Sequence, residues 1–271
     1  MDAPQDSLVA RTLTDPAHLQ AAAELYRAVF GYQDPAHGVN PRLLAALAAN
    51  GGSVVGVLTP DDRVVGFAYG FAGADSHGQT YHYSQAAVVD ASVQGQGIGR
   101  RLKREQAAIA LAHGASTMRW SYDPAVARNA HFNLDVLGGR ARWFHPDFYG
   151  PGTDRLVVEW DLTGQQGRRA GVDHSDPPAP HVDAGPETWG LPLDAGDGAR
   201  WLPLPARIAA LDVRNPALAT SVRRQLHDTL PGLLADGLVA ASCRRVDEAT
   251  SVYRFDPAGR ADATGLAEDP A

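Results

Sequence analysis

Three glycines fall within five positions in Gln94-Gly95-Gln96-Gly97-Ile98-Gly99-Arg100, directly after the apolar pair Val88-Val89 and directly before an amphipathic run with a basic first turn. A strand that passes through a glycine turn into a helix presents free N–H groups at the positive end of the helix dipole. Phosphate oxygens bind there, and glycine lets them approach the backbone without a Cβ in the way. Spacing separates the phosphate motifs that fit such a turn. A Walker loop needs Gly-Lys followed by Ser or Thr, which this stretch lacks. A dinucleotide fingerprint starting at Gly95 and Gly97 meets Arg100 where its third glycine belongs, and no first-strand βαβ unit surrounds it.

In a chain with 28 glycines a glycine pair means little alone, so the elements around the turn carry the reading. Gln85 to Val89 read as the strand before it. Ile98, Leu102, Ile109 and Ala112 recur at helical spacing until Gly114 supplies a stop. Thr117 to Tyr122 read as the next strand, broken by Asp123-Pro124, and Asn129-Ala130 with Leu137-Gly138-Gly139 follow. Gln94-x-x-Gly97-x-Gly99 in this setting resembles the Q/R-x-x-G-x-G/A signature of the GNAT superfamily of acyl-CoA-dependent N-acyltransferases, and the residues from Asn129 to Gly139 resemble its second motif.

The resemblance covers roughly Leu8 to Leu162 and implies a mixed α/β fold, with a mostly antiparallel central sheet flanked by helices. It implies that the fourth and fifth strands splay apart and hold the pantetheine arm of acetyl-CoA or another acyl-CoA. A main-chain N–H near Val88 or Val89 would then polarise the thioester carbonyl. The cofactor contacts it implies are Val88, Val89, Gln94, Gly95, Gln96, Gly97, Ile98, Gly99, Arg100 and Asn129. Arg101, Lys103 and Arg104 extend the basic cluster, for the coenzyme's phosphates or as a solvated helix face.

The remaining chemistry is proton transfer. An amine attacks a thioester only when neutral, and a thiolate that titrates near ~8.5 leaves with modest help. Many relatives carry a tyrosine acid in the second-motif helix where this chain has Leu134, so Tyr149 is the substitute acid to consider. His82, a few residues before the thioester position, is the candidate base, against a purely structural histidine at a strand end. Asp123 reads as a helix-start residue. Cys243 lies far along the chain, which favours direct transfer over an acyl-enzyme.

Five elements must position the motif: a strand over 8–13, helices starting at Asp15-Pro16 and Asn40-Pro41, and a hairpin from Ser53–Leu58 and Arg63–Ala72. A fourth strand over 81–89 leads to the turn, and strands over 140–144 and 156–162 close the order β-α-α-β-β-β-α-β-α-β-β. Residues 1–163 are thus expected as the acyltransferase domain. A Gly, Pro and Asp-rich stretch over 164–200 reads as a linker, 201–258 as a small C-terminal αβ unit, and 259–271 as a tail. A unit so small is expected to pack on the first domain or on a second subunit, giving a homodimer.

Composition narrows the partners. A formal charge of −7 argues against nucleic acid, and the absence of any apolar run near ~20 residues argues against a membrane span. An acidic N-terminus without a secretory pattern gives a cytoplasmic expectation. One cysteine and ten scattered histidines offer no disulfide and no metal motif. The expected function is transfer of an acetyl or succinyl group from acyl-CoA to a small primary amine such as an amino acid, with Arg119, Arg128, Arg140 and Arg142 as candidates for its carboxylate. The alternatives are a non-catalytic CoA-binding sensor and a protein N-acetyltransferase.

Overall fold

β1 (Val9–Thr12) feeds α1 (Pro16–Phe30) through Asp15, whose carboxylate accepts the Ala17 N–H, and Gly31 closes the helix in the left-handed region. Asn40 caps α2 (Pro41–Ala49) in the same way. Both starts use proline at the first helical position, where a missing N–H costs nothing. These features belong to a computed structural model that describes residues 8–164 and 180–259. By the density of internal contacts the chain forms two units, one running to Trp120 and one from Ser121.

In the first unit β2 (Ser53–Leu58), β3 (Val64–Ala74), β4 (Thr80–Val89) and β5 (Thr117–Tyr122) follow, with α3 (Ile98–Ala112) between the last two. The strands lie in the order β1-β2-β3-β4-β5, antiparallel except for the β4–β5 pair. One face packs Leu13, Leu19, Ala22, Leu44, Phe67 and Val88 beneath α1 and α2. On the other face Val55, Val65, Ala68, Ile98 and Leu102 pack beneath α3.

Two bulges shape this sheet. The pairing Tyr69↔Ala86 followed by Gly70↔Ser84 leaves Gln85 without an opposite residue. An extra residue reverses which face the side chains beyond it occupy. Before the bulge His82 and Ser84 reach side chains of β2 and α3, and beyond it Val88 packs beneath α1 and α2 while Val89 packs beneath α3. A second shift between Val57 and Leu58 leaves Val65 as the extra residue of β3.

The second unit begins with α4 (Ala127–His131), which continues as a π-helical turn over Phe132–Val136, and then β6 (Arg140–His145) and β7 (Arg155–Asp161). After them come β8 (Leu193–Asp194), β9 (Arg200–Pro205), α5 (Ile208–Arg214), α6 (Pro216–Ala235), β10 (Leu238–Arg245) and β11 (Thr250–Pro257). Its strands run β7-β6-β10-β11-β9-β8, each pair antiparallel. Asp135 organises its interior, accepting from Ser242 Oγ at 2.7 Å, the Cys243 N–H at 2.8 Å and Arg244 Nε at 3.1 Å.

The element order from β1 to β7 is the one the family resemblance implies. Within the stretch read as a linker, residues 165–179 lie outside the described residues, as do 260–271 of the tail. The described part of that stretch holds structure that its composition hides. Trp189 is buried, its Nε1 donates to Thr250 Oγ1 at 3.2 Å, and β8 pairs with β9. Among the described residues no helix is long and apolar enough to cross a membrane, and no group of acidic, His or Cys side chains is arranged to hold a metal ion.

Candidate active site

The glycine turn has the geometry its sequence calls for. Asp90 caps the short 3₁₀ turn over Ala91–Val93 by accepting the Ser92 N–H at 2.9 Å, and Gln94 Nε2 donates to the Val89 carbonyl at 3.3 Å. Gly95 and Gly97 then take φ of +82° and +75°, which only glycine adopts without strain, and nothing lies within 4 Å of where their Cβ atoms would be. α3 starts with no side-chain cap. Its first bond runs from the Arg101 N–H to the Gly97 carbonyl, and among the described residues the amides of 94–100 have no hydrogen-bond acceptor. N–H groups without an acceptor among the described residues, at the positive end of a 15-residue helix, make an anion cradle.

The basic cluster divides on inspection. Arg100 and Arg104 are exposed beside the cradle. Arg101 turns away and donates Nη1 to the Leu8 carbonyl at 2.8 Å, tying β1 to α3. Lys103 is buried, so neither a phosphate contact at the surface nor a solvated helix face describes it.

The fork implied for the pantetheine arm is present. β4 and β5 pair only at His82↔Met118 and Tyr83↔Arg119, although β4 runs on to Val89. The bulge at Gln85 falls two residues past the last pair. An extra residue bends and twists a strand, which leads β4 away from β5 beyond these two pairs.

A chain of buried polar groups lies at the root of the fork. Lys103 Nζ donates to Ser84 Oγ at 2.9 Å, and Ser84 Oγ donates to Gln106 Oε1 at 2.8 Å. Gln106 Nε2 donates to Ser53 Oγ at 2.9 Å, and Ser53 Oγ lies 2.7 Å from His82 Nε2. With Ser53 donating to the ring, the hydroxyl and amide groups from Ser84 to His82 form one continuous chain, which assigns Nε2 as the unprotonated nitrogen. Burial lowers the His82 pKa to about 4, with further lowering from Lys103 and His113, so the ring is neutral at pH 7. Burial also holds the Lys103 amine well below its ordinary value. Gly70 of β3 leaves room for the ring: a Cβ there would sit 2.6 Å from His82 Nε2 and would clash with the Tyr83 carbonyl.

His82 is therefore not an open base, since its Nε2 lone pair is committed to Ser53 inside a buried cluster. Tyr149 belongs to the second unit, exposed in the turn after β6, with its ring beside Phe148 at 4.6 Å and the Arg155 guanidinium at 5.3 Å. Leu134, at the position of the missing tyrosine, is a buried core residue. Asn129 is exposed in α4, and Asp123 accepts the Ala125 N–H at 2.8 Å, as a helix-start residue does. Arg119 pairs with Asp75 at 3.4 Å, Arg142 with Glu159 at 3.0 Å, and Arg140 donates to the Gly139 and Ala241 carbonyls. Arg128 stays exposed.

The polar chain is what the sequence did not reveal. Lys103 and Gln106 fall on the same helical face as Leu102, Ala107 and Ala110, and two polar residues inside an apolar stripe were the available signal.

Residues 3–125 match the acetyltransferase (GNAT) domain family. No curated protein matches the chain. Among solved structures it is similar to a phosphinothricin acetyltransferase from Sinorhizobium meliloti, solved with AcCoA, at 19% identity and a TM-score of 0.48 over 58% of this chain and 89% of that one. It is also similar to the ribosomal-protein-S18-alanine N-acetyltransferase of Escherichia coli, at 14% identity and a TM-score of 0.46 over 57% and 94%.

Proposed function

We propose that this chain, whose residues 3–125 match the acetyltransferase (GNAT) domain family, is an acyl-CoA-dependent N-acyltransferase that moves the acyl group of an acyl-CoA directly to a small primary amine such as an amino acid. The observation that carries the reading is the set of amides from 94 to 100, which have no acceptor among the described residues and stand at the positive end of α3. A diphosphate supplies the acceptors they lack. Arg100 and Arg104 add cations at its edge, and the parting of β4 from β5 beyond Tyr83↔Arg119 gives a pantetheine arm a place to lie.

Transfer needs few groups. The amine nitrogen attacks the thioester carbonyl, the C–S bond breaks, and the proton lost from nitrogen balances the charge of the departing thiolate. Such a thiolate is a good leaving group near neutral pH, so positioning supplies most of the rate. The covalent route has no support, because burial pushes the Cys243 thiol well above its ordinary pKa and leaves it protonated. In this reading His82 is a positioning residue that fixes the β4 backbone ahead of the bulge.

Acetyl-CoA incubated with a panel of primary amines, with free thiol measured, tests the proposal. Amine-dependent thiol release supports it. Tight CoA binding without release under any amine would indicate a sensor, and no CoA binding would end the reading.

A further inference from the structure

Lys103 is a buried amine that touches no carboxylate among the described residues. Its contacts are Ser84 Oγ at 2.9 Å and the face of the Trp120 ring, 3.8 Å from the centroid. Those two residues are the first beyond the last β4–β5 pair, Tyr83↔Arg119. The amine therefore lies where the two strands begin to part. Leaving such a group charged in the interior without an anion is costly, and one hydroxyl and one ring face offset only part of that cost. The indole face favours the charged form, and the neutral chain from Ser84 to His82 holds the amine in place without neutralising it.

Resting on the proposed acyl-CoA reading, the geometry points to a subsite at the root of the fork that takes an acyl group ending in a carboxylate, as in a malonyl or succinyl thioester, with Lys103 as its specificity-determining residue. A pantetheine arm that enters from the cradle directs its acyl end toward this root. A carboxylate there completes the ion pair that the protein leaves open, while an uncharged acyl group of the same length buries the amine further and leaves it unpaired.

Calorimetric titration of the full chain with succinyl-CoA and with butyryl-CoA tests this, because the two acyl groups are similar in length and differ in charge. The expected result is a preference of about ten-fold or more for succinyl-CoA, the scale of one hydrogen bond to a charged group, erased in Lys103→Met. A wild-type protein without the preference, or a folded Lys103→Met that keeps it, overturns the inference.

Should the variant fail to fold, the wild-type ratio measured from pH 6 to pH 10 decides. The titratable side chain that interacts with the amine is His82 on β4, while the groups it touches on β4 and β5, Ser84 and Trp120, do not titrate in this range. His82 is neutral throughout, so the ratio falls as Lys103 loses its proton, and a flat profile overturns the inference. Binding of both ligands without preference sinks this subsite alone. Failure of CoA itself to bind sinks the acyl-CoA reading and the subsite with it.

Discussion

The pKa of His82 makes a quantitative demand on stability. The ring titrates at 6.5 in the unfolded chain and at about 4 in the fold, chiefly because burial disfavours the imidazolium. Between these values the unfolded chain binds the extra proton, so the ring's contribution is fully present above pH 6.5 and is lost as pH falls toward 4. At about 1.4 kcal/mol for each pH unit across that window, the contribution reaches about 3 kcal/mol. The perturbation is His82→Gln, which keeps an acceptor for Ser53 and removes the titration. The assay is urea unfolding at intervals from pH 4 to pH 7.5, taking the wild-type value minus the variant value at each. Carboxylates with lowered pKa values, Asp75, Asp90 and Asp135 among them, and His131 and His227, whose values are raised, titrate in both proteins and cancel. The difference should shrink steadily below pH 6.5. Parallel curves would show that the ring is not buried neutral and would refute the cluster as described.

Further outcomes follow from the same geometry. Gly70→Ala should destabilise the protein by about 1–3 kcal/mol in urea, because its Cβ meets backbone and the His82 ring rather than a flexible chain end. Gly97→Ala has open space yet must hold a left-handed φ, so thermal unfolding should show a loss of roughly 1–2 kcal/mol, and calorimetry should show weakened CoA binding. Asn215→Ala removes the acceptor of the Leu218 N–H at the start of α6 and should cost about 1 kcal/mol in the same unfolding assay, with CoA affinity unmoved.

Much of the scaffold could be read from local chemistry. Asp15-Pro16, Asn40-Pro41 and Asn215-Pro216 announce helix starts that the structure shows, and the hairpin of β2 and β3 follows from alternation around a turn. The cradle could be read for the same reason, since positive φ at Gly95 and Gly97 is a property of single residues. What escaped was relational. On α3, periodicity favoured Ala112, which is exposed, over Lys103 and Gln106, which are buried, because residue type speaks before partners are known. The bulge at Gln85 reverses the alternation of β4 without any sequence mark, so His82 could be placed on a face but not in a buried cluster. α5 has no side-chain cap and only seven residues, and Trp189 anchors a stretch whose Gly and Pro content reads as linker.

Backbone amide NMR during a titration with CoA bears most directly on the central claim that the turn before α3 is a diphosphate cradle. The largest shifts should fall on the N–H groups of residues 94–100, Gly95, Gly97 and Gly99 among them, and should saturate with the binding isotherm. Saturable binding that leaves those amides unmoved, or no binding at all, would contradict it.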